Sequence, residues 1–148
     1  MKIAEAEPRH APEVAAIERE CFRDPWPEDL IGRWITGEDK RFFVCTDDAG
    51  AVRGYIGAQF VLDEGYIGNV AVTHAARRQG VGRALVEAMT ARACAEGLSF
   101  LTLEVRESNL PAQSLYLSLG YLPVGRRPRY YERPVEDAIL MTKYFTGR

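Results

Sequence analysis

Little in this chain ties it to a metal, a disulfide framework or a membrane. Its 148 residues include three cysteines and two histidines. Cys21, Cys45 and Cys94 are widely spaced, with no C-x-x-C and no Cys/His pairing. Neither a zinc site nor a redox pair is expected from them. Thiols of this kind fit a reducing compartment. No apolar run reaches the ~20 residues that a spanning helix needs. The N-terminus, MKIAEAEPRH, lacks the apolar stretch of a secretory leader. The expectation is a cytoplasmic protein with no metal and no membrane partner. A dominant charge is lacking too, since 19 Lys and Arg face 21 Asp and Glu. Nucleic-acid binding needs clustered cations, so no direct nucleic-acid partner is expected. Linkers, repeats and low-complexity tracts are also missing, and 1–148 reads as a single domain. Composition does not set the oligomeric state, and a monomer is the default expectation.

What is present alternates between strand and helix patterns. Residues 2–7 read as a first strand, stopped by Pro8. Val14, Ile17 and Cys21 recur at helical spacing and predict a helix over roughly 10–21. The prolines on either side of Trp26 make 22–27 a loop, and 28–35 a second short helix. Strands are expected at 42–46, 52–62 and 66–73, with turns at Asp47-Asp48-Ala49-Gly50 and Asp63-Glu64-Gly65. Val81, Ala84, Leu85, Ala88 and Met89 mark an amphipathic helix that Gly97 ends. In a strand over 100–105, Leu101, Leu103 and Val105 share one face, and Phe100, Thr102 and Glu104 the other. Asn109 reads as a helix cap with Pro111 in the first turn. Ala112, Leu115, Tyr116 and Leu119 form the stripe of that helix. Strands at 121–124 and 138–144 enclose a loop, RRPRYYERPVED. The order β-α-α-β-β-β-α-β-α-β-β is a mixed α/β domain, largely antiparallel at first, with a βαβ unit in the middle.

The run Arg77-Arg78-Gln79-Gly80-Val81-Gly82-Arg83 opens the amphipathic helix. Glycines let a backbone approach a ligand closely. A helix start offers unpaired N–H groups and partial positive charge. Together with the arginines they suit a phosphate.

This run resembles the acyl-CoA loop of the GNAT N-acetyltransferases, whose pattern is Arg/Gln-x-x-Gly-x-Gly/Ala. Three more segments stand at that family's spacing: Asn69-Val70-Ala71-Val72, Leu103-Glu104-Val105-Arg106-Glu107-Ser108-Asn109, and Ser114-Leu115-Tyr116-Leu117-Ser118-Leu119-Gly120-Tyr121. Pro25-Trp26, Leu62-Asp63-Glu64, Arg129-Tyr130-Tyr131 and Glu136-Asp137-Ala138 are similar to the RimI branch. Those bacterial enzymes acetylate the N-terminal alanine of a small-subunit ribosomal protein. Leu110-Pro111 stand where the family has small residues, and Glu132-Arg133-Pro134-Val135 also depart from its pattern.

The resemblance implies a GNAT fold: a mixed sheet with an antiparallel N-terminal half, splayed middle strands and about four helices. It implies acetyl-CoA as the donor and the N-terminal peptide of a ribosomal protein as the acceptor, joined in one ternary complex. It makes Glu104 the general base and Tyr116 the general acid. It assigns Val70, Ala71 and Val72 to the pantetheine arm, and Arg78, Gln79, Gly80, Val81, Gly82 and Arg83 to the pyrophosphate. Asn109 would contact the cofactor or only cap its helix. Trp26, Arg129, Tyr130 and Tyr131 would line the peptide groove or only seal the last hairpin. Without the resemblance, Glu104 reads as a surface carboxylate paired with Arg106, and Tyr116 as a core aromatic. His74 and His10 read as solvated or helix-start residues without a catalytic role. Two other functions share these residues: an acetyltransferase for small amines or lysine side chains, and a non-catalytic acyl-CoA-binding module.

Overall fold

Apolar residues on both faces of the central strands demand a helical layer on each side. Strand β2 (Lys40–Thr46) shows how. Phe43 and Cys45 join one core cluster, and Phe42 and Val44 the other. A strand buried on both faces reads as a continuous apolar run rather than an alternating one, as Phe42-Phe43-Val44-Cys45 does.

A computed structural model describes residues 1–145. The other strands are β1 (Lys2–Glu5), β3 (Val52–Val61), β4 (Glu64–Val72), β5 (Phe100–Arg106), β6 (Leu122–Tyr131) and β7 (Glu136–Tyr144). The helices are α1 (Ala11–Cys21), α2 (Glu28–Thr36), α3 (Val81–Ala95) and α4 (Leu110–Ser118). All strands join one sheet in the order β1-β2-β3-β4-β5-β7-β6. Helix α3 packs Leu85, Val86, Met89 and Ala93 on one face, against Ile56, Leu101, Leu103 and Met141 among others. Burying each large side chain of that set is worth about 1.5–3 kcal/mol. Helices α1 and α2 cover the opposite face with Val14, Ala15, Ile17 and Ile31 against Val44, Tyr55 and Ala71. No helix among the described residues is long and apolar enough to cross a membrane.

The element order is the one the sequence pattern predicts, and β5 alternates as expected, with Leu101, Leu103 and Val105 buried. The last hairpin differs. Residues 126–131, expected in a loop, continue β6, where Arg126 pairs with Ile139 and Arg127 with Ala138. Pro128 and the arginines look like breakers, but β6 is the sheet edge, where a proline interrupts no ladder. Strand β4 also begins at Glu64, inside the expected turn. The turn tightens because Leu62 takes a left-handed φ of 55°, which its residue type does not advertise.

The site is positioned by one parallel pair. Strands β4 and β5, linked through α3, pair only from Glu64–Phe100 to Tyr66–Thr102. Beyond Tyr66 they part. Here β4 carries a bulge: Ile67 faces Ala58 and Asn69 faces Gly57, so Gly68 is the extra residue. Bulges bend and twist a strand away from its partner. The result is a V-shaped gap between the C-terminal halves of β4 and β5, the splay that the resemblance implies.

Candidate active site

A cleft of about 840 Å³ opens along this gap. Of the residues singled out from sequence, Trp26, Val70, Glu104, Asn109, Tyr116, Tyr130 and Tyr131 line it together. Arg129 does not. It sits at an irregularity of β6 with φ 54°, and its N–H donates to Asp137 Oδ1 at 2.9 Å.

Beyond the point where the strands part, the β4 backbone is exposed to the gap. The Thr73 N–H donates to the Arg53 carbonyl on the β3 side. Strand groups alternate sides, so Val72 and Val70 turn their N–H and C=O towards the gap, and Ala71 turns towards β3. The Arg77 side chain donates to the Val72 carbonyl at 3.2 Å and to Cys21 Sγ at 3.4 Å. It thus braces the strand end against α1.

The helix α3 starts beside this strand end. Gly80 is its N-cap, at φ 82°, a conformation that favours glycine. Arg78 is left-handed as well, at φ 63°. The first-turn N–H groups of Val81, Gly82 and Arg83 have no partner within the helix by construction. A Cβ on Gly82 would stand 3.8 Å from both Val72 Cγ2 and Leu115 Cδ2, so β4, α3 and α4 converge there. Arg83 ties α3 to α4 through Ser118 Oγ at 2.7 Å. Gln79 donates to the Ala75 carbonyl at 3.3 Å and steadies the loop.

Glu104 lies on the β5 face that looks into the cleft. Its ion-pair partner is Arg127, 3.3 Å away, and not the Arg106 that sequence proximity suggests. Its Oε2 is buried and accepts no hydrogen bond. That oxygen is the one that faces Arg127 Nε, so an ion pair rather than a hydrogen bond offsets its burial. Tyr116 comes from α4 and is 7% exposed. Burial, then the neighbouring Tyr121, pushes its hydroxyl up to about 12, so it stays a protonated donor at neutral pH. Asn109 caps α4, its side chain accepting from the Ala112 N–H at 3.2 Å, and lines the cleft as well. Burial and the Glu104 charge raise the Tyr130 and Tyr131 hydroxyls in the same way. Among the described residues, no group of three or more His, Cys, Asp and Glu is arranged to hold a metal ion.

The acetyltransferase (GNAT) family matches residues 11–121. The chain belongs to the GNAT acetyltransferase family. The ribosomal protein bS18-alanine N-acetyltransferase of Escherichia coli K12 is 36% identical over 141 residues, covering 94% of each chain. The crystal structure of the ribosomal-protein-S18-alanine N-acetyltransferase from Escherichia coli superposes with a TM-score of 0.90 at 35% identity, over 97% of this chain and 92% of that one. Arabidopsis thaliana NAA60 in complex with acetyl-CoA shares the GNAT fold at 18% identity, with a TM-score of 0.88 over 97% of this chain and 99% of that one.

Several residues at this cleft carry no site role in the sequence pattern. Trp34 and Asn69 line it beside Trp26. Arg106 holds the turn after β6 by donating to the carbonyls of Glu132 at 3.0 Å and Pro134 at 3.1 Å. Its guanidinium lies 4.4 Å from the Tyr131 ring centre. Glu18 is wholly buried below the cleft, and burial pushes its carboxyl up against the pull of its hydrogen bonds. It sits in the apolar stripe Val14, Ile17, Glu18, Cys21. A charge at a core position of an amphipathic helix is the signal that could have found it. His10 is buried and structural, its Nδ1 accepting the Glu7 N–H at 2.9 Å.

Proposed function

We propose that this acetyltransferase moves an acetyl group from acetyl-CoA to the N-terminal amine of a polypeptide, with the N-terminal alanine of ribosomal protein bS18 as the candidate acceptor. The named activity of the Escherichia coli relative supports the acceptor class. The observation that carries the chemistry is the pairing, in one cleft, of the buried Glu104 Oε2 and the protonated Tyr116.

The donor side comes first. Phosphates of acetyl-CoA rest on the N–H groups of Arg78 to Arg83, where helix charge and arginines favour an anion. The pantetheine arm runs along β4 and pairs with the outward groups of Val70 and Val72, as an added strand would. On the acceptor side, Trp26, Tyr130 and Tyr131 flank the peptide end. An α-amine titrates near ~8, so much of it is protonated at neutral pH. Glu104 takes that proton, directly or through one water. The amine nitrogen attacks the thioester carbonyl and forms the new C–N bond. The C–S bond breaks, Tyr116 protonates the leaving thiolate, and the second proton shed by the new amide nitrogen restores the Tyr116 hydroxyl, directly or through water. No cysteine nucleophile takes part, so transfer is direct.

The test is a panel of acceptors incubated with acetyl-CoA and read by mass spectrometry. A basic peptide beginning with alanine should gain one acetyl group on its α-amine, while free polyamines and internal lysines stay unmodified. Acetylation confined to polyamines or lysines would replace this acceptor, and binding of acetyl-CoA without any transfer would remove the enzyme reading.

A further inference from the structure

Glu18 has no part in the chemistry above, yet it is the most completely buried charged residue among those described, at 0% exposure. A carboxylate out of water is expensive unless donors surround it. Here three do. Oε1 accepts the Trp26 backbone N–H at 2.7 Å. Oε2 accepts the Asn69 side-chain amide at 2.6 Å and the Tyr55 hydroxyl. The donors come from the loop between α1 and α2, from β4 and from β3.

Two of those donors belong to residues of the cleft wall, Trp26 and Asn69. The Trp26 ring packs 4.8 Å from that of Trp34. Both rings close on the β4 bulge: a Cβ on Gly68 would stand 2.7 Å from Trp34 Cη2 and 3.3 Å from Trp26 Cη2. One carboxylate therefore ties the indole wall to β4 from beneath. An apolar side chain could fill the same volume without the desolvation cost, but it could not fix the main chain of the loop.

We propose that Glu18 is a positioning residue for the acceptor. Acting through Trp26 and Asn69, it fixes the gap between the indole wall and β4, and so restricts the first acceptor residue to a small side chain. This rests on the polypeptide-acceptor reading above.

Glu18→Gln keeps the shape but offers a single acceptor oxygen, so either Trp26 or the Asn69–Tyr55 pair loses its partner. The acceptor KM should rise about tenfold, as loss of a charge-assisted hydrogen bond predicts. The KM for acetyl-CoA and kcat should stay near wild type. The preference for peptides beginning with alanine over those beginning with leucine should shrink. Tyr55→Phe removes one donor and keeps the carboxylate, so it should show the same split to a smaller extent. It carries the test if Glu18→Gln does not fold.

A second readout needs no acceptor. The chain has two tryptophans, Trp26 and Trp34, and both stand in this wall. Acrylamide quenching of their fluorescence should increase in Glu18→Gln. If the wild type modifies no peptide, the acceptor reading fails by itself and quenching still judges the wall. A folded Glu18→Gln with wild-type peptide KM, selectivity and quenching would overturn the proposal. So would a KM that rises equally for both substrates, because that marks a general structural role.

Discussion

The two ends of the cleft are built differently. The proposed donor end consists of backbone: the outward groups of β4, the first turn of α3, and Gly80 at φ 82°. The proposed acceptor end consists of side chains from distant parts of the chain. Glu18 reaches Asn69 across 51 positions, Arg133 reaches Asp24 across 109, and Arg106 holds the turn that presents Tyr131. A backbone cradle depends on a short local motif, so many sequences can keep it and bind the same donor. A wall of long-range side-chain contacts can be rebuilt residue by residue, so the acceptor can change while the donor does not.

The sharpest way to separate the ends is to act on the chemistry between them. Glu104→Gln should lower kcat by about a hundredfold or more, the usual contribution of a positioned general base. Steady-state kinetics with a peptide acceptor checks this. Tyr116→Phe should cost less, about tenfold or more. With its hydroxyl at about 12, the wild type should show no fall in kcat through the ordinary tyrosine range near ~10. A basic limb there that Tyr116→Phe abolishes would keep Tyr116 as the acid and contradict its raised hydroxyl.

This contrast also explains what could be read in advance. The loop from Arg77 to Gly82, the Asn109 cap and the alternation of β5 are local patterns, and each folds as its sequence predicts. Glu104 was visible as a residue, but its neighbour was not. Arg106 is nearest in sequence, while Arg127 is brought beside it by the pairing of β5, β7 and β6. The 126–131 segment reads as a loop because Pro128 is a breaker everywhere except at an edge, and edges are a property of the whole sheet. Glu18 stands in the apolar stripe of α1, but the three donors that converge on it come from elsewhere in the chain.

Smaller effects probe each end alone. Gly80→Val places a β-branched residue at a left-handed position, a strain of about 1–2 kcal/mol. It should lower the melting temperature and weaken acetyl-CoA binding, with the peptide KM unchanged. Arg106→Ala should do the converse: a peptide KM raised about threefold to tenfold, with acetyl-CoA affinity kept.

The smallest effect concerns acid stability. Glu136 is held below its usual range by Ser108, and Asp137 by the Arg129 N–H and Arg126. Their folded pKa values lie below the unfolded ones. Their stabilisation is therefore complete above the ordinary carboxylate range near ~4 and is lost as pH falls through the depressed values. The melting temperature should decline on that side, and Glu136→Gln should flatten the decline.

Calorimetric titration of acetyl-CoA into Glu104→Gln, beside the wild type and on the same samples used for turnover, separates donor binding from chemistry. The Kd should stay unchanged with turnover lost, because Glu104 acts on the acceptor amine and the donor is held by backbone. A Kd that weakens in step with turnover, or turnover that survives, would contradict that separation.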